Sequence, residues 1–268
     1  MKIFFPQWQG AGSGSIIEEG ATALLNYLGK DNFLELALSK LPAGDASQQK
    51  HQINNFEALV AQLASFKSLL SKNQPNHIHT LGGDCGLEIV PVSYLNAKYP
   101  NLGVIWFDAH ADINRPCDSP SCNFHGMPLR TLLGEGESKM DDLMFNILQS
   151  SQIHYVGLRD IDATEKTCLE ERNIYHPREV DIPQLVDTLK AKGIQHLYLH
   201  FDFDCLEPND YDKTYYNVPD GVTIQEAVDC IEALQSHFNI VGTSVLESTT
   251  TSIEELQPIE KIINLLIT

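Results

Sequence analysis

The sequence is poor in basic residues. Lys and Arg number 18 against 36 Asp and Glu, which gives a formal net charge of −18 over 268 residues. Nucleic acids and anionic membrane surfaces attract proteins through Lys and Arg, so this charge balance disfavours both, and we expect neither as a partner. An acidic protein can gently attract cationic substrates and divalent ions, although net charge alone usually serves only solubility.

Long hydrophobic runs and secretory signals are also lacking. No segment approaches the length needed to cross a membrane, and the opening 1–6 stretch is soon interrupted by Gln7, Gln9 and a glycine-rich loop. The six cysteines are scattered and show no spacing typical of secreted disulfide frameworks. We therefore expect a cytoplasmic protein.

Apolar runs and helical patterns alternate along the chain. Strands are predicted at 2–6, 77–81, 103–107, 154–158, 196–201 and 240–246. Helical periodicity falls between them, around 56–64, 180–189 and 224–234, and Thr223 with Glu226 has the spacing of a capping box. This alternation predicts a three-layer α/β/α fold with a central, mostly parallel sheet, and we expect residues 1–268 to form a single domain.

Three short stretches of potential metal ligands each follow an apolar run. They are Gly82-Gly83-Asp84-Cys85, Asp108-Ala109-His110-Ala111-Asp112 and Asp202-Phe203-Asp204. Where a strand passes into a loop, side chains two residues apart point the same way, so the ligands of each stretch can converge. Ligands of such folds bind at the carboxyl ends of the strands, which is where these stretches fall.

The composition of these stretches predicts a two-metal hydrolase. Carboxylates this close repel one another unless a cation lies between them. Oxygen-rich ligation with one or two nitrogens favours Mn²⁺ or Mg²⁺ over a structural Zn²⁺ site. Two ions about 4 Å apart would share a hydroxide and make it nucleophilic at neutral pH. A single pair of acids would more simply be solvated loop residues, but three matching stretches favour a metal centre.

The same stretches resemble the motifs G-G-D-H, D-x-H-x-D-x-N and D-x-D of the ureohydrolase superfamily, which includes arginase, agmatinase and formiminoglutamase. The resemblance extends from about 78 to 247 and implies a hydrolase of C–N bonds in linear amidines. It also implies a centre of two Mn²⁺ ions, with Asp108, Asp112 and Asp202 as the shared or bridging carboxylates. The full ligand set implied by the resemblance is Cys85, Asp108, His110, Asp112, Asp202 and Asp204.

Further segments are similar to arginase in particular. Residues 121–128 resemble S-G-N-x-H-G-x-P, which implies that His125 shuttles a proton, while 157–165 resemble G-L-R-D-V-D-P-G-E. Glu247 stands where the family binds the guanidinium, and catalysis is thereby assigned to His125, Glu247 and Asp112. The substrate ligands implied by the resemblance are Asn114, Ser121 and Asn123 for the α-carboxylate, and Asp162 supported by Glu165 for the α-ammonium.

These matches favour an α-amino acid with a guanidine-like tail. The expected reaction is hydrolysis of arginine or N-hydroxy-arginine, a small-molecule guanidino substrate, by a metal-bound hydroxide. Its products would be ornithine with urea or hydroxyurea. The family resemblance also makes a homo-oligomer an open expectation.

Cys85 is the largest departure from the family pattern, because the family has histidine there. A thiolate is a softer ligand than imidazole and favours Zn or Fe. If the thiol of Cys85 stays protonated it ligates poorly, and the protein could then hold one ion instead of two. The branch of the family that cleaves N-hydroxy-arginine resembles this chain in carrying a cysteine. In addition, the segment 211–219, with Tyr215 and Tyr216, replaces the small Thr/Gly/Pro-rich wall typical of arginases.

Two alternatives remain open from the sequence. One is a formimino or other amidino hydrolase, and the other is a non-catalytic relative that binds a metal or ligand. The joint presence of His125, Asp162 and Glu247 favours catalysis, because a binding module has no need of a proton shuttle.

Overall fold

A seven-stranded parallel sheet forms the centre of the protein. The computed structural model describes residues 1–12, 16–38 and 49–267. The strands in this part of the chain are β1 (Lys2–Phe5), β2 (Phe33–Glu35), β3 (Ile78–Gly82), β4 (Gly103–Phe107), β5 (Ile153–Val156), β6 (His196–Asp202) and β7 (Asn239–Leu246). They follow the order β2-β1-β3-β7-β6-β4-β5, and every pairing is parallel.

Helices cover both faces of the sheet. They are α1 (Ile16–Leu28), α2 (Phe56–Asn73), α3 (Ile89–Lys98), α4 (Pro128–Leu132), α5 (Ser138–Asp141), α6 (Ala163–Arg172), α7 (Ile182–Ala191), α8 (Ile224–His237) and α9 (Glu260–Leu266). Successive strand residues point to opposite faces, so Trp106 belongs to one apolar core and Phe107 to the other. The first core is completed by α2 to α6 and the second by α1, α7, α8 and α9. The predicted α/β/α fold is confirmed.

The apolar pattern predicts six of these strands to within two residues. It does not predict β2, a three-residue edge strand in which Phe33 is half-buried and Leu34 and Glu35 are exposed, so no buried apolar run marks it. The capping box at the start of α8 is confirmed, since Thr223 N donates to Glu226 Oε2 at 2.9 Å and Glu226 N donates to Thr223 Oγ1 at 3.2 Å.

Four neighbouring strands position the candidate site. In the sheet order β3-β7-β6-β4, the carboxyl ends of these strands lead directly into Cys85, Glu247, Asp202 and Asp108.

All six cysteines are free thiols. Within the described residues, no helix combines the length and apolarity required to cross a bilayer.

Candidate active site and metal centre

The ligand atoms of the three stretches meet in adjoining groups. Within each group the atoms lie within 4.8 Å of one another. The groups are Cys85 with Asp108, Asp112 and His200; Cys85 with Asp202 and Glu247; and Asp108 with His110 and Asp204. Cys85 and Asp108 each belong to two groups, so the three groups adjoin one another through these two residues.

A repeated turn places these ligands. In each stretch the first acid accepts a hydrogen bond from the backbone N–H two residues further along the chain. Gly86 N donates to Asp84 Oδ1 at 2.8 Å, His110 N to Asp108 Oδ1 at 2.6 Å and Asp204 N to Asp202 Oδ1 at 2.7 Å. An aspartate at a strand end favours this local turn, and the turn directs the next side chain back toward the same spot.

The buried acids repel one another. Burial, together with the charges of Asp204 and Asp108, raises the pKa of Asp202 well above its usual value. Burial and the charge of Asp108 likewise raise the pKa of Asp112, and they raise the pKa of Asp204 to about 6. Burial, reinforced by Asp202, also raises the pKa of the Cys85 thiol. The charged forms of these groups need a cation nearby.

Two buried oxygen atoms point to the same need. Asp112 Oδ2 and Glu247 Oε2 find no hydrogen-bond partner among the described residues. Buried polar atoms are nearly always satisfied, and a divalent ion satisfies carboxylate oxygens without adding a proton. The residues present therefore fit divalent cations.

Apparent affinity for Mn²⁺ is expected to rise by at least about tenfold between about pH 5 and pH 7. Below its pKa of about 6, Asp204 holds a proton that an incoming ion must displace, and the raised pKa values of Asp112 and Asp202 act in the same direction. Competition titrations with a metal-sensitive dye at a series of pH values measure this slope. Asp204→Asn should reduce it, and an affinity independent of pH would contradict the electrostatic account.

Glu247 and His125 form a pair beside the metal-ligand groups. Glu247 follows β7 in a left-handed conformation, with φ 58°, and its Oε1 accepts a hydrogen bond from Cys85 N at 3.1 Å. The same oxygen lies 3.2 Å from His125 Nδ1. Burial lowers the pKa of His125, but the hydrogen bond and charge of Glu247 outweigh it, so the pKa lies above its usual value. This pairing keeps a proton available on the imidazole.

Asn114 and Asp162 form a polar pair on the cavity wall. Asn114 Nδ2 donates to Asp162 Oδ2 at 2.9 Å. Asp162 also begins α6, where it forms a capping box with Glu165, and Glu165 Oε1 accepts from Ile113 N at 3.2 Å. Glu165 therefore joins the start of α6 to the loop that follows the Asp108 stretch.

A cavity of about 230 Å³ brings these parts together. Most of the predicted site residues line it, and they are Cys85, His110, Asp112, Asn114, Ser121, His125, Asp162, Glu165, Asp202, Asp204 and Glu247. Asp108 lies beneath them, almost fully buried. The structure does not place Asn123 in the cavity wall, because its side chain donates to Ala11 O and accepts from Asn54 Nδ2, at 2.9 and 2.8 Å.

The sequence and fold match known proteins over most of their length. Residues 12–254 match the model of the Arginase family. An arginase from Staphylococcus aureus strain COL is 32% identical over 245 residues, which cover 83% of this chain and 81% of that protein.

The chain belongs to the arginase family.

Solved structures agree with this assignment. The crystal structure of Entamoeba histolytica arginase in complex with L-ornithine superimposes with a TM-score of 0.86 at 25% identity, over 99% of this chain and 97% of that one. The arginase from Bacillus caldovelox has the same fold, with a TM-score of 0.80 at 23% identity over 98% and 95% of the two chains. This arginase-family chain is a hydrolase that acts on amidino C–N bonds.

The segment 211–219 brings two tyrosines to the cavity. Tyr215 and Tyr216 line the cavity, and Tyr215 N donates to Glu247 O at 3.2 Å, which ties this loop to the end of β7. The Tyr216 ring centroid lies 5.8 Å from that of His110 and 5.9 Å from that of His125. The loop thus sets aromatic rings beside both histidines.

The sequence motifs do not include His200, which the structure adds to the site. This fully buried side chain lies on β6 two residues before Asp202, so both point to the same face of the strand. Its Nε2 is 3.5 Å from Asp108 Oδ2, and its ring stacks on Trp106 with centroids 3.5 Å apart. Asp202 and Asp204 are two residues apart, and counting back two residues from Asp202 leads to His200.

Proposed function

We propose that this protein hydrolyses the guanidino group of arginine or N-hydroxy-arginine, releasing ornithine with urea or hydroxyurea. The main support for this proposal is that one cavity contains the metal-ligand groups, the Glu247–His125 pair and the Asp162–Asn114 pair. These supply what the reaction needs: activation of water, an anchor for a cation and a grip on an α-amino acid. The ornithine complex of the Entamoeba arginase supports ornithine as the product.

Two divalent ions, Mn²⁺ by the family resemblance, would be held by the carboxylates together with Cys85 and His110. The resemblance implies Asp108, Asp112 and Asp202 as shared ligands; of these, Asp108 lies both in the group with Cys85 and Asp112 and in the group with His110 and Asp204, while Asp202 lies with Cys85 and Glu247. When bound, such ions supply the Lewis acidity that makes water nucleophilic at neutral pH.

Glu247 anchors the guanidinium in this proposal. Its carboxylate is buried at the cavity wall, and Oε2 is left without a partner among the described residues while Oε1 is occupied by Cys85 N and His125. A planar cation that donates N–H groups matches a carboxylate in both charge and geometry. Its binding would fix the guanidino carbon beside the metal-ligand groups.

His125 supplies the proton for the leaving amine. Its Nδ1 is engaged by Glu247, which orients the ring and leaves Nε2 to deliver a proton to the departing δ-nitrogen of ornithine. Without that proton the leaving group would be an amide anion, which is a far poorer leaving group than an amine. The aromatic rings of Tyr215 and Tyr216 restrict water around this step.

The α-amino acid end of the substrate is assigned to the opposite wall. Asp162 would pair with the α-ammonium, while Asn114 and Ser121 would donate to the α-carboxylate. Asn123, which the family resemblance also assigns to the carboxylate, already has its amide engaged by Ala11 and Asn54. We assign it instead to holding the loop that carries Ser121.

Asp162→Asn should raise KM for L-arginine by about 10- to 100-fold, with a smaller change in kcat. Asparagine is a good N-cap, so the start of α6 is preserved while the charge that faces the α-ammonium is removed. The matched substrate is 5-guanidinopentanoate, which lacks the α-amino group and should show the same KM with both proteins. Steady-state kinetics decide, and equal losses on the two substrates would refute the assignment of Asp162.

The N-hydroxy substrate has its own support in the cavity. Cys85 replaces the histidine of the resembled metal motif, and Tyr215 and Tyr216 reshape the wall beside His110 and His125. Phenolic hydroxyls at this position can hydrogen-bond a polar N-hydroxyl group. We therefore propose that N-hydroxy-arginine is cleaved in preference to arginine.

A further inference from the structure

His200 lies at the centre of a buried ligand group and belongs to none of the three motif stretches. Its Nε2 is 3.7 Å from Cys85 Sγ and 3.5 Å from Asp108 Oδ2, and Asp112 completes the group. All four ligand atoms lie within 4.8 Å of one another, and all four residues are buried. A thiol, an imidazole and two carboxylates therefore converge on one point.

The surroundings of His200 resemble those of a metal-ligating imidazole. Its Nδ1 lies 3.2 Å from Glu88 Oε1, and the ring stacks on Trp106 at an interplanar angle of 8°. Metal-ligating histidines typically donate their other ring N–H to a carboxylate, which fixes both the tautomer and the ring orientation. Glu88 and Trp106 thus direct Nε2 toward Cys85 and Asp108.

A purely structural histidine fits these distances less well. An N–H···O hydrogen bond is normally 2.7–3.2 Å long, roughly, so the 3.5 Å separation from Asp108 is long for such a bond. Asp112 Oδ2, in the same group, has no hydrogen-bond partner among the described residues. His200 Nε2 lies within hydrogen-bond distance of Cys85 Sγ, and a cation between these groups would replace that contact and satisfy the orphaned oxygen of Asp112 at the same time.

We propose that His200 is a metal ligand and that, with Cys85, Asp108 and Asp112, it forms a site of mixed sulfur, nitrogen and oxygen donors. The proposal rests on the metal centre of the proposed function and extends it to a residue outside the motif ligands. Sulfur and imidazole donors favour Zn²⁺, Co²⁺ or Fe²⁺, whereas the neighbouring group of Asp108, His110 and Asp204 offers mainly oxygen. The two ion positions of this protein are then chemically distinct.

The test counts imidazole ligands in the Co²⁺-loaded protein. Chelated full-length protein is loaded with two equivalents of Co²⁺, and the proton spectrum is searched for the strongly shifted, exchangeable ring N–H signals of coordinated histidines. Two signals are expected, one from His110 and one from His200, together with a near-ultraviolet thiolate-to-cobalt band from Cys85. A single N–H signal overturns the proposal, as does the absence of Co²⁺ binding.

Variants assign the two signals. His200→Gln keeps a side chain that can hydrogen-bond Glu88, and it should remove one N–H signal. It should also lower the affinity for the Co²⁺ ion that gives the thiolate band by about 100-fold or more. His110→Gln is the matched control, and it should remove the other signal and leave the band. Loss of the same signal in both variants would overturn the proposal, and the wild-type count still decides if a variant fails to fold.

These spectra do not depend on turnover. Protein that shows two signals but cleaves neither arginine nor N-hydroxy-arginine would support the role of His200 and refute the proposed function. Protein that cleaves either substrate but shows one signal would support the proposed function and refute the role of His200.

Discussion

Glu247→Gln should lower kcat/KM for both L-arginine and N-hydroxy-L-arginine by about 10²- to 10³-fold. Glutamine keeps an oxygen that can accept from Cys85 N, so the local structure is maintained, but it removes the negative charge from a buried position. A guanidinium brought into the cavity would then lack its counter-charge, and His125 would lose the carboxylate that raises its pKa. Both losses weaken the transition state, and steady-state kinetics measure their sum.

The matched control for this variant is Glu254→Gln. It removes the same charge from an exposed residue of the following segment that is not part of the cavity wall. Metal content should be determined in both proteins, because Glu247 lies in the same ligand-atom group as Cys85 and Asp202. A Glu247→Gln protein with full metal content and wild-type kcat/KM would exclude Glu247 as the guanidinium anchor.

Removal of divalent ions should reduce hydrolysis by more than about 10³-fold. A guanidinium is a stable cation that water alone attacks very slowly, so the reaction needs a strong nucleophile. The Cys85 thiol in the cavity does not supply one, because it is buried and its pKa is raised. Exhaustive chelation followed by a product assay measures the loss, and re-addition of Mn²⁺ should restore activity in proportion to the metal bound.

Chelation needs a control for folding. Without a cation the clustered carboxylates repel one another more strongly, which destabilises the fold around them. Circular dichroism should therefore establish that the chelated protein keeps its helices. Asp202→Asn offers an independent route, since it removes one ligand and one buried charge at the end of β6. Full activity of verified metal-free protein would rule out a metal-dependent mechanism.

Much of the fold is predictable because parallel strands buried on both faces appear as continuous apolar runs. β4 and β6 are such runs, and their boundaries match the prediction within one residue. β2 gives no such signal because it is short and lies at the edge. Helix α3 also escapes detection, since eight of its ten residues are buried and it lacks the one-sided apolar stripe on which helix prediction depends.

The sequence likewise predicts some residues of the site and misses others. Asp108, Asp202 and Glu247 lie at strand ends or directly after them, and sequence spacing together with the family resemblance anticipates their convergence. His200 on β6 contacts Glu88, in the segment after β3, across a separation of 112 residues in the sequence, which no local pattern encodes. Asn123 resembles a motif residue, but contacts with Ala11 and Asn54, both distant in sequence, decide where its side chain points.

The most direct measurement is ornithine release by the metal-loaded wild-type protein, with L-arginine and N-hydroxy-L-arginine assayed in parallel against chelated protein. Ornithine is the product common to both reactions, so one assay covers both substrates. We predict metal-dependent ornithine from both substrates, with a higher kcat/KM for N-hydroxy-L-arginine. No ornithine from either substrate, in protein verified to contain its metal, would contradict the assignment of this cavity to guanidino amino acid hydrolysis.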